Sequence, residues 1–240
     1  VSTKDNYVPA GKWEFNQDVV NVFPDMISRS IPGYGVMRDS VVRVAQQFLL
    51  PKMECSYMLD FGCSRGDTIY DVLNSLDPMT QVQCYGVDSS QDMILAAEHL
   101  FKEWDNVSFV CGDVNDIEIT PGKFSVITSV LTAQFIPLDV RQGFYENVHN
   151  GLSDDGVFIV VEKVLGETPA SQRLLVDIYH RYKSDKGYTD EQIEEKRKSL
   201  QGVLVPLRAS ENEAMLRDAG FNDVQRFWQC LNFAGWMATK

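Results

Sequence analysis

The passage Met58-Leu59-Asp60-Phe61-Gly62-Cys63-Ser64-Arg65-Gly66 constrains this chain most: an apolar run ends on two glycines, and an amphipathic stretch begins at Thr68. A short apolar run bounded by glycine reads as a buried strand, and the stretch after it as a helix. Gly62 and Gly66 allow turns and close approaches that a Cβ would block. Open α/β sheets bind ligands outside the carboxyl ends of their strands, so this loop is a candidate site floor. Its GxxxG spacing is neither the GxGxxG of dinucleotide enzymes nor the GxxxxGK[ST] of phosphate-binding loops. Taken alone it is also compatible with a tight structural turn.

The same alternation continues along the chain. Strands are predicted at Tyr57–Phe61, Gln83–Val87, Val107–Val110, Phe124–Val130 and Val157–Glu162, with helices near Thr68–Leu76, from Ser90 to about Trp104, and over Leu138–Leu152. Strands alternating with helices predict a parallel sheet covered on both faces. Gly151 and the Asp154-Asp155-Gly156 turn fit a helix stop and a tight entry into the last of these strands. Before the alternation, Trp13 to Tyr34 lacks a long regular period and reads as short capping helices. Met37, Val41, Val44 and Phe48 then share one helical face that Pro51 closes. Thr168 to about Gly202 is charged and helical, with Leu174, Ile178 and Tyr182 at steps of four, and its plain reading is a solvated helical pair. The tail returns to a helix ending at Gly220 and two aromatic-rich strands, Val224–Gln229 and Asn232–Thr239.

Twenty-two Lys and Arg against 34 Asp and Glu give a net charge of −12, a poor start for gripping nucleic acid. A small-molecule substrate is expected instead. No stretch has the roughly 18–20 apolar residues that span a bilayer, and Val1 to Trp13 holds no signal-peptide core, so no membrane partner and a cytoplasmic location are expected. The five cysteines (Cys55, Cys63, Cys84, Cys111 and Cys230) show no CxxC spacing and read as reduced thiols. His99, His149 and His180 are scattered, which gives no support to a metal site or a histidine relay.

Two acids extend the case made by the glycine loop. Asp88 ends the second predicted strand, where a carboxylate can accept hydrogen bonds from both hydroxyls of a ribose. Asp113 and Val114 follow the third, where an acid can accept from an adenine amino group while an apolar neighbour faces the ring. Each acid alone could be a solvated loop residue; three strand ends in agreement point to a nucleoside-bearing ligand.

This order, with a last strand pair suited to an antiparallel edge, resembles class I methyltransferases that use S-adenosyl-L-methionine (SAM), over Tyr57 to the C-terminus. The resemblance implies an α/β fold: a Rossmann-like, mostly parallel sheet with an antiparallel C-terminal edge. Residues 1–50 would form an N-terminal helical cap, and 51–240 a SAM-binding domain with inserted helices over about 168–202. It also implies Gly62, Cys63 and Ser64 beneath the methionine part of SAM, Asp88 at the ribose, and Asp113 with Val114 at the adenine.

A narrower resemblance lies in the flanks. Val22-Phe23-Pro24-Asp25-Met26-Ile27-Ser28-Arg29-Ser30-Ile31-Pro32-Gly33-Tyr34 is similar to the entry segment of the carboxy-S-adenosyl-L-methionine synthases. So are Thr132-Ala133-Gln134-Phe135, Gly187-Tyr188, Lys196-Arg197 and Trp228-Gln229-Cys230-Leu231-Asn232-Phe233. Such enzymes take SAM and prephenate, release phenylpyruvate and leave a carboxylate on the carbon attached to sulfur, making a carboxymethyl donor for wobble-uridine modification in tRNA. Deprotonation of the sulfonium methyl and capture of the carbon dioxide released from prephenate make up the proposed chemistry. The resemblance places Arg197 against the added carboxylate, reaching from a neighbouring subunit, and turns the Tyr34 hydroxyl toward the cofactor. A guanidinium fork suits a carboxylate at any relevant pH; the plain alternative for Arg197 is an exposed charged helix. A homodimer is expected from the family and from the apolar N-terminal segment.

The chain departs from the family at Val130, where the synthases carry a cofactor-contacting asparagine, so that polar contact is absent or supplied by Ser129. Ser89 replaces a second asparagine and keeps a polar group, while Arg65 and Asp67 are charged where the family's turn is small and apolar. The rival reading is a SAM-dependent methyltransferase acting on a small molecule, which needs only an in-line nucleophile.

Overall fold

Strand residues alternate between two cores because successive side chains of a strand point to opposite faces. The computed structural model describes residues 4–9, 11–49 and 54–240. In it β1 (Ser56–Phe61), β2 (Val82–Asp88), β3 (Val107–Cys111), β4 (Phe124–Val130) and β5 (Leu152–Leu165) run parallel. A two-residue β6 (Leu207–Arg208) lies parallel along β5. β7 (Asp223–Cys230) and β8 (Phe233–Thr239) form an antiparallel hairpin whose β8 arm pairs with β5. The resulting order is β3-β2-β1-β4-β5-β8-β7. This is the expected mostly parallel sheet with an antiparallel C-terminal edge.

Leu59 and Phe61 of β1 face one core with Phe144, Tyr145 and Trp236, while Met58 faces the other with Met37, Val41 and Ile69. Helices cover both sides. On the second face lie α2 (Tyr34–Phe48) and α3 (Asp67–Ser75), and on the first α5 (Leu138–Gly151) and α8 (Ala209–Asp218). A third cluster of Trp13, Val19, Val20, Met26 and Met93 ties α1 (Gln17–Ser30) to α4 (Gln91–Leu100). Between β5 and β6 the chain makes α6 (Pro169–Asp185) and α7 (Asp190–Ser199), each opened by a threonine capping box.

Three expectations are corrected. Residues 17–30 form one helix rather than short pieces: Asn16 caps it, and Pro24 sits inside it. An interior proline removes one backbone donor, but Val19, Val20 and Met26 bury enough surface to carry the helix through. The helix after Ser90 ends at Leu100, where a tight turn leads to Trp104. The Asp154-Asp155-Gly156 turn does not precede β5, which starts at Leu152 and absorbs these residues in a register shift opposite Phe124 and Val126. Pro51 lies outside the described residues. Among the described residues, no helix is long and apolar enough to cross a membrane.

Candidate active site

The glycine loop after β1 is fixed by its backbone before any ligand is considered. Gly62 has φ +67°, and a Cβ there would lie 2.0 Å from Thr132 Oγ1, so only glycine fits. The N–H groups of Gly62 and Cys63 both donate to the Val87 carbonyl, at 2.7 and 3.0 Å. Ser64 follows in the left-handed region at φ 49°, an uncommon conformation for a residue with a side chain. Its N–H donates to Asp88 Oδ2 at 2.9 Å, while Ser90 N–H donates to Asp88 Oδ1 at 2.9 Å. Asp88 thus staples the β1 and β2 loops together, and each of its oxygens retains a lone pair for another donor. Burial pushes the Asp88 carboxyl up, against the two N–H groups that favour its charge. One strand over, Asp113 Oδ1 accepts from Asn115 N–H and from Asn115 Nδ2, at 2.9 and 2.8 Å, and opens the short 3-10 turn Val114–Asp116.

These strand ends open on a cavity of about 590 Å³, within the range of small-molecule sites. The structure brings every candidate residue except Ser129 to its wall. Gly62, Cys63, Ser64, Asp88, Ser89, Asp113 and Val114 form the side built by β1, β2 and β3. Tyr34 opens α2 against the wall, half-buried, its hydroxyl accepting from Arg38 Nη1 at 3.2 Å; burial pushes this phenol up. Val130 reaches the wall from the end of β4. Ser129 does not: strand alternation turns it away, and its buried Oγ has no partner among the described residues, so it supplies no contact in place of the asparagine. Arg197 stands on α7 at the wall of its own chain's cavity, with Nε and Nη2 donating to the Glu194 carboxylate at 2.7 and 2.8 Å. The charged pair α6 and α7 is therefore no purely solvated surface feature. One face of each lines the cavity.

Several wall residues escaped the sequence reading. Trp13 Nε1 and Asn232 Oδ1 are buried without a partner among the described residues and belong to residues of the wall. Lys163 and Lys183 reach it from β5 and α6. A Glu162-Lys163 pair inside an otherwise apolar strand is a signal that could have been read. Nothing local distinguishes Lys183 from the other charges of its helix. Glu162 itself is buried and accepts from the N–H groups of Ala133 and Gln134 at 3.0 and 2.7 Å, holding the turn that borders the cavity. Burial pushes its carboxyl up to about 8, opposed by Arg141 and by these donors.

The fold and this site define a class. Residues 58–156 match the family model described as "Methyltransferase domain". Among solved structures, a SAM-dependent methyltransferase from Aquifex aeolicus aligns with a TM-score of 0.59 at 16% identity, covering 94% of this chain and 98% of that one. Phosphoethanolamine N-methyltransferase 2 of Haemonchus contortus, in complex with SAM, aligns with a TM-score of 0.66 at 14% identity, covering 94% and 57%. The sheet is that of the SAM-dependent methyltransferases. Curated relatives narrow this further. The carboxy-S-adenosyl-L-methionine synthase of Actinobacillus pleuropneumoniae serotype 5b (strain L20) is 32% identical over 233 residues, 96% of this chain and 94% of the relative. That of Methylococcus capsulatus is 34% identical over 231 residues, 94% and 93%. The chain belongs to the carboxy-S-adenosyl-L-methionine synthase family.

Proposed function

We propose that this protein converts SAM and prephenate to carboxy-S-adenosyl-L-methionine and phenylpyruvate. The observation that carries the reading is a cavity with acids at the strand ends that suit an adenosine and, across it, the guanidinium of Arg197, which a plain methyl transfer does not need. The residues present fit SAM. The volume is adequate, the Gly62–Ser64 loop and Asp88 border it, and Trp13 Nε1 and Asn232 Oδ1 lack partners among the described residues at the wall.

In this reading Gly62, Cys63 and Ser64 lie beneath the methionine part, Asp88 with Ser89 accepts the ribose hydroxyls, and Asp113 with Val114 holds the adenine. Val130 packs beside them, and Tyr34 turns its hydroxyl to the ligand. Arg197 exchanges Glu194 for the new carboxylate, keeping a charged partner throughout. Overall, prephenate gives up carbon dioxide and hydroxide as its ring becomes aromatic, carbon dioxide replaces one hydrogen of the sulfonium methyl, and that proton leaves with the hydroxide as water. The product serves as a carboxymethyl donor for the wobble uridine of tRNA. The protein itself, at net charge −12, works on small molecules in the cytoplasm, as a homodimer, without holding nucleic acid or membrane.

Val130 favours one second reading, a SAM-dependent methyltransferase for a small-molecule acceptor, because an apolar side chain stands where the synthases place an asparagine. Mass spectrometry of the small molecule released on gentle denaturation of protein purified without added ligand separates the two. Carboxy-S-adenosyl-L-methionine is the expected result. Recovery of SAM or S-adenosylhomocysteine alone would replace the synthase with a methyltransferase.

A further inference from the structure

Charge is unevenly spread over the cavity wall, with one cation, Arg38, held by Asp71 on the side of the acids. Its lining carboxylates, Asp67, Asp88 and Asp113, all sit at the loops after β1, β2 and β3. The side built by β5, α6 and α7 contributes Lys163, Lys183, Lys196 and Arg197 and no carboxylate. β2 and β5 are separated by β1 and β4, so the two sides stand about 14 Å apart at the usual strand spacing.

Two of these cations are already neutralised. Lys196 Nζ is paired with the buried Asp5, and Arg197 with Glu194. Lys163 and Lys183 have no carboxylate partner among the described residues. Both ammonium groups lie instead against the Tyr179 ring, 5.0 and 4.6 Å from its centroid. That ring is fixed, because its hydroxyl donates to the Ser30 carbonyl at 3.0 Å. Beside Lys163 in the sheet register is Phe233, preceded by Asn232, a buried residue whose Oδ1 has no partner among the described residues. Burial and the neighbouring ammonium groups of Lys163 and Lys196 push Lys183 down to about 7, and burial pushes Lys163 down as well. In a chain of net charge −12, two crowded lysines kept without a counterion have a cost that a bound anion would remove.

We propose that Lys163 and Lys183, both held against the Tyr179 ring, form the subsite that receives the carboxylate group or groups of the second substrate, with Asn232 Oδ1 accepting from a donor on the same molecule. This rests on the reading that the cavity takes SAM together with an anionic co-substrate, and it assigns the second molecule to the β5 side. The lysines act by binding and placing that substrate; SAM stays with the acids on the β1–β3 side.

The test uses Lys163→Met, Lys183→Met and Lys183→Arg in the full chain, each first checked for unchanged SAM affinity by calorimetry. With prephenate and SAM, each Met variant is expected to raise KM for prephenate on the order of 10- to 100-fold, the loss of one charged hydrogen bond, with a smaller change in kcat. Lys183→Arg should recover most of the KM. If the wild type makes carboxy-S-adenosyl-L-methionine and the Met variants keep KM within about twofold, the subsite is wrong. Calorimetry with malonate, a dicarboxylate that cannot react, separates the subsite from the reaction. Malonate binding that the Met variants lose, in a wild type that does not turn over prephenate, keeps the subsite and discards prephenate as its occupant. Malonate that binds all forms equally, or none, overturns the subsite.

Discussion

The two sides of the cavity are built by different means. On the β1–β3 side the site is mostly backbone: Gly62 is the only residue that fits under Thr132, and Asp88 spends hydrogen bonds on Ser64 and Ser90 to hold two loops in place. On the β5 side it is side chains brought from distant parts of the chain, including Lys163 of β5, Lys183 of α6 and Arg197 of α7. A backbone cradle is rigid and general, as expected for a part shared across many transferases. Long cationic side chains are changeable, as expected for the part that selects a particular partner.

The sharpest way to break this contrast is Asp88→Ala. It removes the acceptors proposed for two ribose hydroxyls, so SAM affinity should fall by about two to four orders of magnitude, at about 1.5–3 kcal/mol per charged hydrogen bond. It also strands the Ser64 and Ser90 N–H groups, so thermal stability should fall too. Calorimetric titration and a melting curve read the two effects separately. SAM binding within about tenfold of wild type would reduce Asp88 to a loop staple.

Arg197→Ala tests the other side and should behave differently. Its pair with Glu194 is exposed to solvent and adds little to stability, so the melting temperature should barely move. Affinity for carboxy-S-adenosyl-L-methionine should drop on the order of 10- to 100-fold while affinity for SAM is retained. Equal loss for both ligands would remove Arg197 from the role of carboxylate clamp.

The same division explains what could be read from the sequence. The strands β1 to β4 and the acids at their ends were legible because the information is local: a strand is a short apolar-rich run, and the site residues stand at its end or within the next three positions. Nothing local could place Arg197 or Lys183 on a cavity wall, since an amphipathic charged helix looks alike whether its polar face meets water or a ligand; for Arg197 only the family resemblance did so. Asn232 and Trp13 depend on contacts made from opposite ends of the chain. α1 reads as short pieces in the sequence because residues 13–34 show no long regular period, while the packing of Val19, Val20 and Met26 that holds the helix together is tertiary. β5 was shortened for a related reason, as a turn signal at Asp154-Asp155-Gly156 outweighed a pairing that only the neighbouring strand reveals.

The smallest expected effect lies beneath the two sides, in the sheet itself. Asp60 of β1 is buried opposite Thr128 of β4, whose Oγ1 donates to Asp60 Oδ1 at 2.6 Å, while Oδ2 has no partner among the described residues. Burial pushes this carboxyl up to about 7; Thr128 and Arg38 oppose the shift, and Asp88 and Asp67 add to it. Below the ordinary carboxylate value of 3.8 both folded and unfolded chains hold the proton, and Asp60 adds no pH dependence. Between 3.8 and about 7 the folded chain keeps a proton that the unfolded chain has lost, so stability falls as pH rises; above 7 the penalty is constant. Asp60→Asn keeps an acceptor for Thr128 and cannot ionise. Its melting temperature relative to wild type should therefore climb from pH 4 to 7 and level off above, by about 2–4 °C for each kcal/mol recovered in a chain of this size. A difference that stays flat with pH would mean that Asp60 is charged in the folded protein and that a donor to Oδ2 compensates it.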